Sequence, residues 1–224
     1  AIIEYLIHGL ESRAFFYDQK KANAAIEWIE SHAFHTEGRL APNPFKLELW
    51  EKAFLSALFG IVDEKGFRQF REVVLLIGRK NGKSLLAAAI AKYIWLQEGG
   101  FGAKVYNVAP KLDQADIVYN NIWQMVLLDP EYQKKKTEYS ELDAQHRKVK
   151  DDSDLPKHRQ SDLYVTATNS TVKKIAFSAK KSDGFNPSLC ICDEIAAWEG
   201  DAGLKQYEVM IARSEERRVG KECR

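Results

Sequence analysis

The chain has 224 residues, of which 45% are hydrophobic and 29% charged, enough apolar material to bury one substantial core and too much for a disordered chain. Lys and Arg number 33 against 32 Asp and Glu, a net charge of +1, which marks neither a basic nucleic-acid coat nor an acidic tail, so partners are not readable from charge. No run approaches the ~18 consecutive apolar residues of a membrane span, AIIEYLIHGLESR lacks the pattern of a secretory leader, and three cysteines (Cys190, Cys192 and Cys223) are too few for a disulfide framework, which fits a soluble protein in a reducing compartment.

Residues 1–44 read as a helical lead-in. Ala22 to His32 has the spacing of an amphipathic helix with Ala25, Trp28 and Ile29 on one face, followed by the loop GRLAPNP. Because the first residue is Ala1 rather than Met, a preceding segment is expected. A main domain is expected over 45–213. From Phe45 to Phe59, Leu49, Ala53, Phe54, Ala57 and Leu58 keep helical spacing, predicting a second helix. VVLLI, Val73 to Ile77, is continuously apolar and β-branched, as a parallel strand covered on both faces would be. A helix opens near Lys83, with Leu86, Ile90, Tyr93 and Ile94 in step. A strand at Val105 to Ala109 and a helix from Leu112 to Leu128 complete a βαβα alternation, which predicts an α/β fold with a mainly parallel sheet flanked by helices.

Asp129 to Asp162 is half Asp, Glu, Lys and Arg and reads as a surface excursion. Its clusters at Lys134 to Lys136 and at Arg147, Lys148 and Lys150 suit solvated faces better than phosphate contacts. Short strands are predicted at Leu163 to Ala167 and Val172 to Phe177, and a last one at Leu189 to Cys192. Trp28, Trp50, Trp95 and Trp123 fall on apolar helix faces and read as core. The terminal string SEERRVGKECR, Ser214 to Arg224, resembles the conceptual translation of a sequencing adapter. It reads as no part of the fold, as a fusion scar would.

Chemistry concentrates in two places. IGRKNGKS, Ile77 to Ser84, stands between a predicted strand and a predicted helix, the context of a phosphate-binding loop. Gly82 lets backbone amides approach an oxyanion, Lys83 reaches the β- and γ-phosphates, and the Ser84 hydroxyl suits Mg2+. The strict pattern has Gly at the position held by Ile77, so the loop is a variant. Arg79 and Lys80 supply cations that suit charge developing on a transferred phosphoryl group. Downstream, PSLCICDE ends an apolar strand in two carboxylates. Asp193 suits Mg2+ through its water shell, and Glu194 suits orientation or deprotonation of an attacking water. Cys190 and Cys192 read as small strand residues rather than a metal pair, and Trp198 is placed to shield the site.

These segments resemble, in order, the N-terminal packaging ATPase of tailed-phage terminase large subunits: FKLELWEKAFLSALFG, FRQFREVVLLIGRKNGKSLLAAAIAKY, VYNVAPKLDQADIVY and DGFNPSLCICDEIAAWEG. The resemblance implies a P-loop NTPase fold of the Asp-Glu type. It also implies ATP and Mg2+ as ligands, a nucleotide-binding set of Arg79, Lys80, Asn81, Gly82, Lys83 and Ser84, Mg2+ at Ser84 and Asp193, and Glu194 and Arg79 as catalytic residues. Trp50 and Glu51 fall where many relatives have Trp-Gln near adenine. A carboxylate cannot donate to a ring nitrogen, which sets this chain apart. Double-stranded DNA, a portal ring, a small terminase subunit, self-association on the portal and the host cytoplasm are implied in the same way. The family's nuclease domain would fall beyond residue 213. The competing expectations are another P-loop ATPase, helicase-like or remodelling, and a nucleotide-binding but inactive fragment.

Overall fold

The computed structural model describes residues 2–78, 80–144, 152–176, 186–195, 198 and 208. They fall into two compact units, residues 1–33 with 44–77 and residues 34–43 with 78–224.

The first unit holds α1 (Ile2–Glu11), the two-residue strand β1 (Phe16–Tyr17), α2 (Gln19–His32), α3 (Leu49–Gly60) and β2 (Ile61–Val62). Asp18 starts α2, its carboxylate accepting the Lys21 N–H at 3.1 Å and so satisfying a donor that the helix ladder leaves open. α2 buries Ala22, Ala25 and Ile29 against α3, which buries Leu55 and Phe59. β1 and β2 pair antiparallel, Phe16 opposite Val62. Gly60 permits that approach, since a Cβ there would lie 2.7 Å from the Tyr17 ring and 2.9 Å from the Ala22 methyl.

Four expectations fail in this unit, one of them the core reading of Trp50, which is 40% exposed. The core stripe of α3 is Glu51, Leu55 and Phe59, not the one through Leu49, which is 85% exposed. LWEKAFLSALFG is apolar on most of its circumference, so helical spacing fits more than one face. Trp28 is half-buried and stacks on His32, ring centroids 4.6 Å apart. Most consequentially, Val73–Ile77 joins no strand among the described residues, and Val74 and Leu76 are 70% and 89% exposed. An apolar, β-branched run states a capacity for burial. A strand also needs a neighbouring edge to take its N–H and C=O groups.

The second unit runs through α4 (Lys83–Tyr93), β3 (Lys104–Ala109), α5 (Leu112–Leu128), α6 (Pro130–Ala144), β4 (Lys157–His158), β5 (Asp162–Val165), β6 (Ser170–Ala176) and β7 (Leu189–Cys192). The five strands lie in the order β4-β5-β6-β3-β7. β3 is central to the parallel part: Val105 faces Val172 of β6 on one side and Leu189 of β7 on the other. β4 and β5 extend the sheet antiparallel, so it is mixed rather than wholly parallel. Val105, Val108 and Ala109 are fully buried, as expected of a parallel strand with both faces covered. α5 packs on α4, β3 and β6, and the loop at 34–43 is tied to it by Thr36, whose hydroxyl donates to Asn121 at 2.7 Å.

α4 buries Leu86, Ile90 and Tyr93 as its spacing predicts, and the π-helical turn after it buries Ile94 and Trp95. Trp95 is the expected core tryptophan, whereas Trp50 is 40% exposed and Trp123 half-buried. Lys92, 1% exposed, donates to the Asp129 carboxylate at 2.8 Å and the Met125 carbonyl at 3.1 Å. Burial pushes the Lys92 pKa down while Asp129 pulls against it. The surface excursion after Asp129 carries α6. Its Glu, Gln and Lys are good helix formers, but with no apolar stripe their periodicity carries no signal.

Candidate functional site

In the second unit, the loop before α4 and the end of β7 meet. The loop turns on two left-handed residues, Lys80 with φ 65° and Gly82 with φ 73°, and the Asn81 amide donates across it to the Gly78 carbonyl at 3.4 Å. Gly82 is the N-terminal cap of α4, and no side chain caps that terminus. The helix ladder begins with the Leu86 N–H on the Gly82 carbonyl at 2.9 Å. A Cβ at Gly82 would meet nothing within 4 Å, so glycine is needed here for backbone conformation rather than for room. Lys83 and Ser84 are the first two helical residues. A helix start without a capping side chain, with Lys83 and Ser84 beside it, fits an anion such as a nucleotide phosphate. Arg79 lies outside the described residues.

At the end of β7 the Asp193 N–H donates to the Val108 carbonyl at 3.0 Å, carrying the parallel ladder one residue past the strand. The Asp193 carboxylate accepts from the Lys83 ammonium at 2.9 Å and from the Glu194 N–H at 2.9 Å. Asp193 is largely enclosed, its side chain 12% exposed against 42% for Lys83. Two motifs about 110 residues apart in the sequence thus share one ion pair. Ser84 and Asp193 offer a hydroxyl and a carboxylate oxygen, a small hard donor set that suits Mg2+, which keeps most of its waters. Among the described residues no group of three or more His, Cys, Asp or Glu gathers as a metal cage.

Glu194 is exposed and its backbone is left-handed, φ 50°, a conformation that costs a non-glycine residue about 1–2 kcal/mol. Its carboxylate accepts from the Gln114 side-chain amide at 2.7 Å. Gln114, in the first turn of α5, is absent from the sequence-derived site. The available signal was position alone, because the residues just past a parallel strand are where open α/β sheets assemble their chemistry. Trp198 is not a free lid. Its indole N–H donates to the Asp193 carbonyl at 3.0 Å, and it packs against the buried cluster of Tyr106 and Val108, fastening the turn after β7 to the sheet. Cys190 and Cys192 are strand residues with sulfurs 3.8 Å apart, and the Cys192 thiol together with burial pushes the Cys190 thiol pKa up.

Trp50 and Glu51 lie in the first unit, on the first turn of α3. The buried Glu51 carboxylate accepts the Glu48 N–H at 2.8 Å, one half of a capping box. Burial raises its pKa, and the Glu48 carboxylate adds to the rise despite that hydrogen bond. Glu51 therefore serves the helix start through the very group that would meet a base.

The family described as the terminase large subunit ATPase domain matches residues 49–217. Terminase large subunits of Lactococcus phages p2 and SK1 are 27% and 26% identical over 195 residues, covering 84% of this chain and 32% of theirs. The large subunit of Enterobacteria phage HK97 is 26% identical over 80% of this chain and 31% of its own. The chain thus spans about a third of the length of these curated relatives. The crystal structure of the HK97 large terminase superposes with a TM-score of 0.64 at 22% identity, over 88% of this chain and 35% of that one, a likeness of fold.

Proposed function

The chain belongs to the terminase large subunit ATPase domain family, and from that premise we propose that it binds Mg-ATP at the loop before α4 and hydrolyses it to drive packaging of double-stranded DNA. The observation that carries this reading is the 2.9 Å pair between Lys83 and Asp193, which joins the phosphate-binding lysine to the strand-end carboxylate. On binding, Lys83 exchanges Asp193 for the β- and γ-phosphate oxygens, and the amides of Asn81, Gly82 and the first turn of α4 surround the phosphate chain. Ser84 and Asp193 would hold Mg2+, which would supply neutralisation of charge on the phosphate oxygens. Arg79 and Lys80 add positive charge at the transferred group. Glu194 orients a water in line with the γ-phosphorus and takes its proton as the new P–O bond forms and the bridging bond to ADP breaks.

In the whole protein this ATPase acts as a motor on DNA, seated with further copies on a portal ring, supplied by a small terminase subunit, and working in the host cytoplasm. No described helix is long and apolar enough to cross a membrane. Two substitutions test the core of the proposal. Lys83→Ala removes a charged phosphate contact of about 1.5–3 kcal/mol, so calorimetry should show Mg-ATP affinity lowered about 10- to 150-fold. Unchanged affinity would sink the loop assignment. Glu194→Gln should bind Mg-ATP normally and turn over at least ~100-fold more slowly, and near-normal hydrolysis would remove Glu194 from the mechanism.

A further inference from the structure

We infer that Gln114 is a positioning residue for ATP hydrolysis, its side-chain amide holding the Glu194 carboxylate in the orientation from which it takes the proton of the attacking water. The inference rests on the reading of Glu194 given above and extends it to a residue on a different element. Glu194 is exposed and sits on a left-handed turn, so packing does not fix its side chain. One hydrogen bond does, the carboxylate accepting from the Gln114 amide at 2.7 Å, while the Glu194 N–H on Asp193 at 2.9 Å holds the backbone turn.

The sense of the second bond follows from chemistry. An ionised carboxylate only accepts, so the nitrogen end of the Gln114 amide must face it. That leaves the Gln114 carbonyl oxygen buried with no partner among the described residues. A buried acceptor without a donor weighs against stability, so the fold alone does not account for a glutamine in this orientation. One Glu194 oxygen is engaged and the other is left for the water. In the step, a water O–H bond breaks, its proton passes to that second oxygen, the water oxygen bonds to the γ-phosphorus, and the bond to the ADP oxygen breaks. The proton then leaves to solvent.

Gln114 can set an angle because its support is rigid. The carbonyl of its neighbour Ala115 accepts from the side-chain amide of Asn107, a fully buried residue of β3. Asn107 lies beside Ile191 of β7 in the parallel register. Asp116, the next residue, is paired with Lys174 of β6. The first turn of α5 is therefore fixed to β3 and β6, β3 pairs in turn with β7, whose end carries Asp193 and Glu194, and Gln114 closes the circuit from side to side.

The test uses the 224-residue chain with Gln114→Ala and Gln114→Glu, alongside the unsubstituted chain and Glu194→Gln. Binding of a fluorescent Mg-ATP analogue and steady-state turnover are followed from about pH 5.5 to about pH 8.5. Gln114→Ala should keep binding within about threefold and lower kcat about tenfold with KM unchanged, the pattern of an interaction needed for the chemical step. Gln114→Glu should be at least as slow at high pH, where two carboxylates repel. It should regain activity relative to the unsubstituted chain on acidification, because a carboxyl that shares a proton donates again. Equal losses of binding and turnover, a kcat within about twofold for Gln114→Ala, or a pH profile for Gln114→Glu parallel to that of the unsubstituted chain would each overturn the inference. Should Glu194→Gln abolish turnover while Gln114→Ala leaves kcat within about twofold, the inference alone fails. If Glu194→Gln turns over normally, the reading beneath it fails too.

Discussion

Replacing Asp193 with Asn should shift nucleotide affinity in opposite directions with and without Mg2+. Without nucleotide, Asp193 holds Lys83 at 2.9 Å, so a phosphate must take the lysine away from it. A pair whose lysine is 42% exposed is worth about 0.2–1 kcal/mol, and the enclosure of Asp193 favours the upper end. In EDTA, Asp193→Asn frees Lys83, and ATP should bind about 1.5- to 5-fold more tightly. In Mg2+ the same change would remove the carboxylate proposed to hold the ion through its water shell. A charge-assisted contact of about 1.5–3 kcal/mol is lost, lowering affinity about 10- to 150-fold. The Asn carbonyl still accepts the Glu194 N–H, so the turn after β7 persists and the melting temperature should move by only a few degrees, about 2–4 °C per kcal/mol for a chain of this size. Paired calorimetric titrations in EDTA and in Mg2+ decide the matter. A loss of affinity in both, or a gain in both, would refute the idea that Asp193 alternates between lysine and metal.

Two further outcomes follow from buried charges. The Glu51 pKa is raised chiefly by burial, so its contribution favours the fold fully only below the unfolded value, near pH 4.3, and is lost as pH rises through the folded value. Gln keeps an acceptor for the Glu48 N–H without the charge, so Glu51→Gln should raise the melting temperature at pH 7 by about 2–4 °C, with the gain vanishing toward pH 4. A lower melting temperature at pH 7 would contradict this. Asp129→Leu strands the Lys92 ammonium away from its carboxylate and should cost about 3–5 kcal/mol, a fall of roughly 6–20 °C. Lys92→Met combined with Asp129→Leu should recover most of that loss in thermal melts, and a double variant as unstable as the single one would refute the pairing.

What was legible in the sequence was what two constraints specify together. α5 and β7 fall at Leu112–Leu128 and Leu189–Cys192, where apolar spacing and flanking polar residues agree. The meeting of Lys83 with Asp193 was readable because phosphate chemistry demands a cation at a helix start and an acid at a strand end. The misreadings come from single signals. The face of α3 was ambiguous because Leu, Ala and Phe surround it, and α6 was hidden because charged residues leave no stripe. Val73–Ile77 has strand composition without a strand partner among the described residues. Gln114 escaped because one amide in a helical first turn has no pattern to set it apart. Its role depends on Glu194, 80 residues away, whose backbone turn no periodicity predicts.

The central position of β3 bears on how this unit is synthesised. Val105 pairs with Val172 and with Leu189, so the strand meets its neighbours only after about 67 and 84 further residues have been made. At translation rates of about 5–20 residues per second, α4 with Lys83 leaves the ribosome several seconds before Asp193 exists. Helices form in about a microsecond, so α4 and α5 carry exposed apolar faces for most of that interval. That apolar surface therefore stays uncovered longest in the nascent chain, where aggregation competes with folding. Among the described strands β7 is made last, and only then can Asp193 at its end meet Lys83.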